Sequence, residues 1–483
     1  MLLKHFFTGK IAHSSYILAG SKSCAVIDPQ RDIDMYITEA RSMGVNITHI
    51  LQTHLHADFI SGHMDLAKET GAKIYVAKSA GCAFDFAALS EGDTIELEDM
   101  ILTVMETPGH TPEHLSYVVT DKSRSNSPVG VFAGDTLFVG DVGRPDLFPG
   151  IAQDLADRLY HSLHDKLLKL PDYVEVYPAH GAGSLCGRSM GAKRTSTIGY
   201  ERLYNPALQI KEKSEFIKSL TENMPPAPDH FSRCSDINRQ GPSRLKDLPI
   251  IKELSARQFK NRIEKIDPVL LDTRGYHAFA GQHISGAWHL DLNGNFPTFA
   301  GWILPPEKDI LLVTDDYKKA LEANTWARRV GADKIVGCLD GGMAAWAAAG
   351  FRTSHIELIS AEELHGMISG DADFVLLDVR APQEYEHNHI EGAINIPVAD
   401  LRTLHSELNR DKTTVVVCST GIRSSLGASI LKQHGFNDII NVAGGMTGYS
   451  AAGYTRECLV CSIPHGSRFF TSWSETDKYN DTE

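Results

Sequence analysis

Cys418 is the residue of this sequence whose surroundings offer the clearest chemical use. Residues 418–424, with the sequence CSTGIRS, lead from a β-branched strand directly into a helical pattern. A short loop that opens a helix turns several backbone N–H groups towards one point, where the helix dipole also favours negative charge. Such a loop favours the thiolate of a cysteine, Gly421 lets it close tightly, and Arg423 adds a fixed positive charge. We therefore predict Cys418 as a nucleophile and Arg423 as the second catalytic group beside it.

A second set of reactive side chains lies in the first half of the chain, where histidines and aspartates repeatedly end apolar runs. The set comprises His54, His56 and Asp58 in THLHADF, His110 in TPGHT, Asp135 in GDT, and His180 in YPAHG. Groups that follow strand ends can meet in one cleft, and this mixture of ligand types predicts a metal site there. Cys186 lies in the glycine-rich stretch after His180, and two interpretations stay open for it: contact with a substrate or simple packing.

The elements that must position these groups fall into three parts. Residues 1–223 alternate strand and helix patterns and form the first predicted domain. Residues 224–248 begin with the sequence MPPAPD and are predicted to be a linker, because proline holds the chain extended and cannot continue a helix. Beyond the linker we predict domains at 249–355 and 356–455, followed by a C-terminal tail at 456–483.

The last two domains repeat one another. The tetrapeptide VLLD occurs at residues 269–272 and again at 375–378, an offset of 106, and GGM occurs at 341–343 and at 444–446. In the first copy Asp315 or a neighbour falls at the place of Cys418. An aspartate would repel an anionic sulfur and cannot replace the nucleophile, so we predict that this copy is chemically inert and serves as a spacer or docking domain.

Composition narrows the classes of function. The 483 residues carry a formal net charge of -14 without a lysine or arginine run, which disfavours nucleic-acid binding. No apolar stretch is long enough to span a membrane, and the N-terminus does not fit a signal peptide, so we expect a cytoplasmic protein. Eight cysteines over this length are too sparse for a disulfide-rich secreted domain. Cys458 and Cys461 have zinc-knuckle spacing but no second pair nearby, and we interpret them as thiols of a polar tail.

The repeated half resembles the rhodanese sulfurtransferases. The resemblance rests on VLLD followed by a residue and arginine, on the HI-x-GA stretches, and on the Cys-x4-Arg loop that begins at Cys418. It implies two α/β domains with parallel sheets, the second of which carries sulfur on Cys418. A loop one residue longer would suggest the related phosphatases, which remain the minor alternative.

The first half resembles the metallo-β-lactamase fold, which implies an αββα domain. In two-metal hydrolases of that superfamily the first motif reads His-x-His-x-Asp-His, but here Phe59 stands at the last position. The resemblance to persulfide dioxygenases implies one Fe(II) held by His54, His110 and Asp135, a ligand set with open positions that favours oxygen chemistry. It leaves to His56, Asp58 and His180 the role of orienting ligands, water or substrate, although each stays open as a ligand itself.

The order of the domains resembles bacterial persulfide dioxygenase–sulfurtransferase proteins of sulfide detoxification. That resemblance implies one Fe(II) per chain, and substrates that are O2 and a low-molecular-weight persulfide of glutathione or coenzyme A. The expected products are sulfite and, through Cys418, thiosulfate, or sulfur passes in the reverse direction. By analogy we expect a homo-oligomer without nucleic-acid or membrane partners. The alternatives are a thioester hydrolase of the hydroxyacylglutathione type with accessory rhodanese domains, and a non-enzymatic persulfide carrier or sensor.

Overall fold

A computed structural model describes residues 1–222, 224 and 227–455 of this protein. The predicted tail at 456–483, with Cys458 and Cys461, lies outside the described residues. The chain divides into two compact units: residues 1–248 with 328–331, and the remainder from residue 249 onward. Across the described ranges, no helix has both the length and the apolar character needed to span a membrane.

The first unit contains two six-stranded sheets, ordered β1-β2-β3-β4-β5-β6 and β12-β11-β10-β9-β8-β7. The strands are β1 (Leu2–Thr8), β2 (His13–Ala19), β3 (Ser23–Ile27), β4 (Asn46–Leu51), β5 (Lys73–Ala77), β6 (Ala87–Leu89), β7 (Thr94–Leu97), β8 (Met100–Glu106), β9 (Leu115–Asp121), β10 (Pro128–Gly134), β11 (Glu175–Pro178) and β12 (Ser196–Thr197). The helices are α1 (Asp34–Ser42), α2 (His63–Thr70), α3 (Ala152–His161), α4 (Ile198–Tyr204), α5 (Pro206–Gln209), α6 (Lys213–Thr221) and α7 (His230–Gln240).

Two apolar clusters explain why these elements form layers. One joins residues of both sheets, among them Ile17, Ile50, Leu102 and Tyr117, and it is the core between the sheets. The other packs the opposite face of the second sheet against helices, through residues such as Val131 of β10. Each sheet face is buried against another layer, as an αββα domain requires.

Part of the predicted linker is helical. Helix α7 lies inside the segment 224–248, and its residues Phe231 and Cys234 are buried. The extended conformation expected from the prolines therefore does not continue through residues 230–240. Proline excludes a helix only near its own position, and the polar sequence that follows is able to form one.

The two repeated copies have the same topology, with five-stranded sheets ordered β13-β17-β16-β14-β15 and β18-β22-β21-β19-β20. All strand pairs in both sheets are parallel. The first copy comprises β13 (Lys252–Leu254), α8 (Ala256–Ile266), β14 (Val269–Asp272), α9 (Tyr276–Gly281), β15 (Trp288–His289), α10 (Phe296–Ile303), β16 (Ile310–Val313), α11 (Tyr317–Arg329), β17 (Ile335–Leu339) and α12 (Gly342–Ala348). The second comprises β18 (Glu357–Ile359), α13 (Ala361–Ser369), β19 (Val375–Asp378), α14 (Pro382–His387), β20 (Ile394–Asn395), α15 (Leu401–Leu404), β21 (Thr414–Val417), α16 (Ile422–Gln433), β22 (Ile439–Val442) and α17 (Gly445–Ala451). The predicted fold class, an αββα domain followed by two α/β domains with parallel sheets, is confirmed.

Strand register decides which residue of the first copy corresponds to Cys418. Asp272 of β14 pairs with Val313, just as Asp378 of β19 pairs with Val417. The residue that follows each of these valines therefore occupies the same place, so Thr314 corresponds to Cys418. Asp315, named in the sequence comparison, lies one residue further on.

Candidate active sites

Three side chains of the first unit converge where strands of both sheets end. His54 follows β4, His110 follows β8 and Asp135 directly follows β10. All three are fully or almost fully buried, and their donor atoms lie within 4.8 Å of one another. The Asp135 Oδ2 atom lies 3.3 Å from His110 Nε2 and 3.7 Å from His54 Nε2. The structure thus brings together the three residues that the resemblance implies as metal ligands.

Hydrogen bonds on the far side of each ring fix which nitrogen faces the cluster. His110 Nδ1 lies 2.9 Å from the carbonyl oxygen of Arg144, which can only accept, so this nitrogen carries the proton. His54 Nδ1 lies 2.9 Å from Thr53 Oγ1, whose own hydrogen goes to Asp28 at 2.8 Å. Both Nε2 atoms therefore point at Asp135 as lone pairs. A donor ring held from behind in this way is the usual arrangement of metal-binding histidines.

The electrostatics of the cluster favour a cation between these atoms. Burial and the neighbouring histidines hold the pKa of His54 well below its usual value, and burial lowers the pKa of His110. Burial opposes ionisation of Asp135, but the charge of His180 and its hydrogen bond to this carboxyl outweigh it and keep the pKa of Asp135 below its usual range. Two neutral imidazole lone pairs and a carboxylate oxygen thus face one another, which is unfavourable unless a positive ion lies among them. The donor set fits a divalent transition metal.

His180 lies behind this cluster, between two carboxylates. Its Nδ1 atom is 2.7 Å from Asp135 Oδ1 and its Nε2 atom is 2.9 Å from Asp58 Oδ2. Burial alone would lower the pKa of His180, but Asp135 and Asp58 raise it well above the usual value. His180 can thereby orient Asp135. His56, in turn, faces the buried Asp28 at 3.2 Å, and His56, Asp58 and His180 together form a second group of donor atoms.

Phe59 fills the position where two-metal hydrolases of this superfamily carry a histidine. Its ring is fully buried, with its centroid 4.2 Å from that of His13 and 4.5 Å from that of His56. An aromatic ring at this place packs against the histidines and supplies no donor atom. The second group of donors therefore gains nothing from position 59.

Cys186 belongs to an apolar pocket beside the cluster. It packs in one buried group with Ala57, Phe138 and Phe231, and its sulfur lies within 4.8 Å of donor atoms of Asp135 and His180. Burial, together with the charges of Asp58 and Asp135, raises the pKa of this thiol well above its usual value. Cys186 is thus a neutral thiol at the wall of the site.

Two residues of α7 belong to this site although the sequence gave no sign of them. Asn238 donates to the carbonyl oxygens of His56 and Phe59 at 2.8 Å, and its own carbonyl accepts from Ser61 N–H at 2.8 Å. It thereby holds in place the loop that carries His54. Phe231 closes the apolar pocket.

His114 positions the backbone rather than a ligand atom. Its Nε2 atom accepts a hydrogen bond from Asp135 N–H at 2.9 Å, and Thr107 and Thr136 contact its Nδ1 atom at 3.0 Å. Burial lowers the pKa of His114 to about 3, so the ring stays neutral and keeps the lone pair that Asp135 N–H needs.

The second site surrounds Cys418 at the end of β21. The buried sulfur accepts a hydrogen bond from Gly421 N–H at 3.2 Å and one from Ser424 Oγ at 3.3 Å. Gly421 directly precedes helix α16 and has a φ of 95°, a conformation that residues other than glycine rarely adopt. The predicted loop that turns donors towards the sulfur is therefore present.

Arg423 was expected to add a fixed positive charge beside Cys418, but its charge is paired with the carboxylate of Glu384. Its guanidinium makes two hydrogen bonds of 2.6 and 2.7 Å to Glu384 and a third of 2.7 Å to Ser419. Although burial acts against the charge, the Glu384 carboxylate raises the pKa of Arg423 further. Its charge is therefore matched by Glu384, and the pair holds the loop in shape. Glu384, 39 residues earlier in the chain, is a further residue that the sequence did not reveal.

Comparison with known proteins agrees with this geometry. A model of the metallo-beta-lactamase superfamily matches residues 8–180, and a model of the rhodanese-like domain matches residues 255–349 and 360–452. The mitochondrial persulfide dioxygenase ETHE1 of Bos taurus is 30% identical over 239 residues, which cover 48% of this chain and 85% of that protein. A hydroxyacylglutathione hydrolase of Rhodospirillum rubrum is 36% identical over 162 residues, which cover 33% of this chain and 57% of that protein.

A solved structure extends the similarity beyond the first domain. The crystal structure of a metallo-beta-lactamase from Staphylococcus aureus is 33% identical with a TM-score of 0.64, and the match covers 70% of this chain and 98% of that one. The chain therefore belongs to the metallo-beta-lactamase superfamily, with an N-terminal domain of the persulfide dioxygenase kind followed by two rhodanese-like domains.

Proposed function

We propose that this protein oxidises a low-molecular-weight persulfide to sulfite with O2 and transfers sulfane sulfur through Cys418. In the first reaction a persulfide R–S–SH, O2 and water give the thiol R–SH, sulfite and two protons. In the second, the outer sulfur of a Cys418 persulfide passes to sulfite, giving thiosulfate and the Cys418 thiolate. The second reaction run backwards would supply persulfide from thiosulfate. Glutathione and coenzyme A persulfides are the proposed substrates.

One observation carries the first reaction: the lone pairs of His54 and His110 converge with a carboxylate oxygen of Asp135. We propose these residues as the ligands of one Fe(II) per chain, because two histidines and one carboxylate leave open positions suited to oxygen chemistry. The bound ion would supply adjacent positions for the persulfide and O2, together with positive charge.

The surrounding residues of this chain have separate tasks in the proposal. His180, between Asp135 and Asp58, holds the carboxylate in its ligating orientation, while the Arg144 carbonyl and Thr53 do the same for the two histidines. The buried wall of Cys186, Phe138 and Phe231 excludes water from the persulfide. Cys186 as a neutral thiol can contact the substrate's sulfur there.

The second reaction is proposed on the environment of Cys418. Gly421 N–H and the Ser424 hydroxyl stabilise negative charge on the sulfur, and Glu384 with Arg423 keeps the loop in the shape that presents them. In the described residues no cysteine forms a disulfide. A cytoplasmic location and a homo-oligomeric state stay predictions from the sequence.

Oxygen uptake with glutathione persulfide, combined with metal analysis, tests the proposal. We expect about one iron per chain and uptake that depends on persulfide, and we expect His110→Ala to lose both. His49→Ala, on strand β4 outside the cluster, is the matched control and should keep both. Two zinc ions per chain and hydrolysis of a glutathione thioester without oxygen uptake would contradict the proposal and favour the hydroxyacylglutathione hydrolase alternative.

A further inference from the structure

Tyr276, from the copy that has Thr314 at the position of Cys418, lies against the Cys418 loop. It begins helix α9, and its hydroxyl oxygen accepts a hydrogen bond of 3.3 Å from Gly444 N–H in the other copy. A Cβ atom placed on Gly421 would lie 2.9 Å from the Tyr276 ring and 3.1 Å from its hydroxyl oxygen. Gly421 itself donates to the Cys418 sulfur. The tyrosine ring therefore covers one side of the sulfur-binding loop, at a distance that only glycine permits.

The Tyr276 hydroxyl is available as a donor. It accepts from Gly444, so its own hydrogen is still free for a partner, and no acceptor for that hydrogen occurs among the residues that the structure describes. Burial raises the pKa of Tyr276, and the nearby charges of Cys418 and Asp291 raise it further. The hydroxyl consequently keeps its proton at neutral pH. The residue is only partly buried, so a small molecule can reach it.

The arginine of the Cys418 loop offers little free charge to an incoming anion. Arg423 is held by two hydrogen bonds to Glu384, which matches its charge. Gly421 N–H and Ser424 Oγ both point at the Cys418 sulfur. A negatively charged sulfur acceptor that approaches a sulfur on Cys418 would therefore gain from a hydrogen-bond donor outside this set, in addition to the backbone N–H groups of the loop.

We propose that Tyr276 is a specificity-determining residue of the Cys418 site, whose hydroxyl donates to a small sulfur oxyanion such as sulfite or thiosulfate. This inference rests on the sulfur transfer given under the proposed function. In that step the lone pair of the sulfite sulfur forms a bond to the outer sulfur of the Cys418 persulfide. The bond between that outer sulfur and Sγ breaks, and Sγ keeps the electron pair as a thiolate. The copy with Thr314 in place of the nucleophile is then half of the transfer site rather than a spacer.

Kinetics of the full chain with glutathione persulfide and sulfite test this assignment. Tyr276→Phe should raise the KM for sulfite about tenfold, the value of one hydrogen bond to an anion. Its kcat should stay within about twofold, and the KM for glutathione persulfide should not change, because the ring is kept. Tyr317→Phe, which removes a partly exposed hydroxyl from the same copy, is the matched control and should behave as the wild type. An unchanged KM for sulfite in Tyr276→Phe would overturn the assignment.

Alkylation of Cys418 gives a readout that needs no turnover. Iodoacetate carries a carboxylate and iodoacetamide does not, so the ratio of their rates at Cys418, followed by peptide mass spectrometry, reports binding of an anion at the loop. Tyr276→Phe should lower the iodoacetate rate severalfold and leave the iodoacetamide rate unchanged; equal changes in both rates would overturn the assignment. If the wild type shows no Cys418-dependent sulfur transfer, the proposed function fails, and the alkylation ratio still decides whether Tyr276 binds anions.

Discussion

The two rhodanese-like copies share their scaffold down to single hydrogen bonds. In the first copy Arg274 Nη2 donates to Asp272 at 2.6 Å and to the carbonyl oxygen of Gln282 at 2.7 Å. In the second, Arg380 Nη2 donates to Asp378 at 2.7 Å and to the carbonyl oxygen of Asn388 at 2.6 Å. These buried pairs tie the end of a central strand to the following helix in both copies, so they serve the fold and say nothing about activity.

The copies differ in the loop that follows the next strand. Residues 314–320 of the first copy read TDDYKKA, whereas residues 418–424 of the second read CSTGIRS. The first copy thus has a threonine for the nucleophile, two carboxylates inside the loop and no glycine at the start of the helix. The scaffold motif is therefore the same in both copies, whereas the sequence of this loop differs.

The largest expected effect is the loss of sulfur transfer on removal of the nucleophile. Cys418→Ser should abolish transfer from thiosulfate to cyanide by the full chain, since no other described residue of this unit presents a thiol at a helix-opening loop. Adding Thr314→Cys to that variant should not restore transfer, because Asp315 and Asp316 would repel an anionic sulfur. Restored transfer in the double variant would mean that the loop sequence does not distinguish the copies.

A smaller difference is expected from the glycines that contact the two loops. A Cβ atom on Gly445 would lie 2.1 Å from the carbonyl oxygen of Cys418, whereas one on Gly342 would lie 3.0 Å from that of Thr314. Both glycines have positive φ, at 52° and 55°. Gly445→Ala should therefore lower the Tm by about 8 °C and Gly342→Ala by about 3 °C, corresponding to roughly 3 and 1 kcal/mol.

Differential scanning calorimetry of the full chain measures both changes, and sulfur transfer should fall in Gly445→Ala alone. Equal Tm shifts in the two variants would show that the tighter contact of Gly445 with the Cys418 carbonyl does not make its substitution more destabilising.

The smallest of these effects concerns the pair that holds the Cys418 loop. Glu384→Gln leaves Arg423 and Ser419 with a neutral partner, and we expect kcat/KM for sulfur transfer to fall about tenfold, in line with the difference between charged and neutral hydrogen bonds. Glu386→Gln changes an exposed carboxylate of the same helix and should leave the rate unchanged. Equal kcat/KM values in the two variants would show that the Glu384–Arg423 pair contributes to folding alone.

Much of the fold was accessible from the sequence because the evidence is local or repeated. The duplicated VLLD and GGM stretches predicted two copies of one topology. Histidines and aspartates at strand ends predicted a common cleft, and the resemblance to persulfide dioxygenases implied His54, His110 and Asp135 as the three ligands within it. Thr314 was not identified, because only the pairing of Asp272 with Val313 fixes the register of that strand.

Residues that act over long distances in the chain were missed. Asn238 lies 179 residues from Phe59, whose carbonyl it holds, and it stands in a segment whose prolines suggested a linker. Glu384 and Tyr276 reach the Cys418 loop from other helices, and nothing in their own neighbourhoods indicates it. Partners of this kind are set by tertiary packing, which periodicity and local motifs do not encode.

The products of glutathione persulfide oxidation test the central claim most directly, because they couple the two sites in one assay. We predict that the wild type consumes oxygen and accumulates thiosulfate when persulfide is in excess. Cys418→Ser should consume oxygen at the same rate but accumulate sulfite, since the first unit still works and the transfer step is absent. Oxygen consumption that disappears in Cys418→Ser, or thiosulfate formed by that variant at the wild-type yield, would contradict the proposed division between a persulfide-oxidising metal site and a sulfur-transferring cysteine.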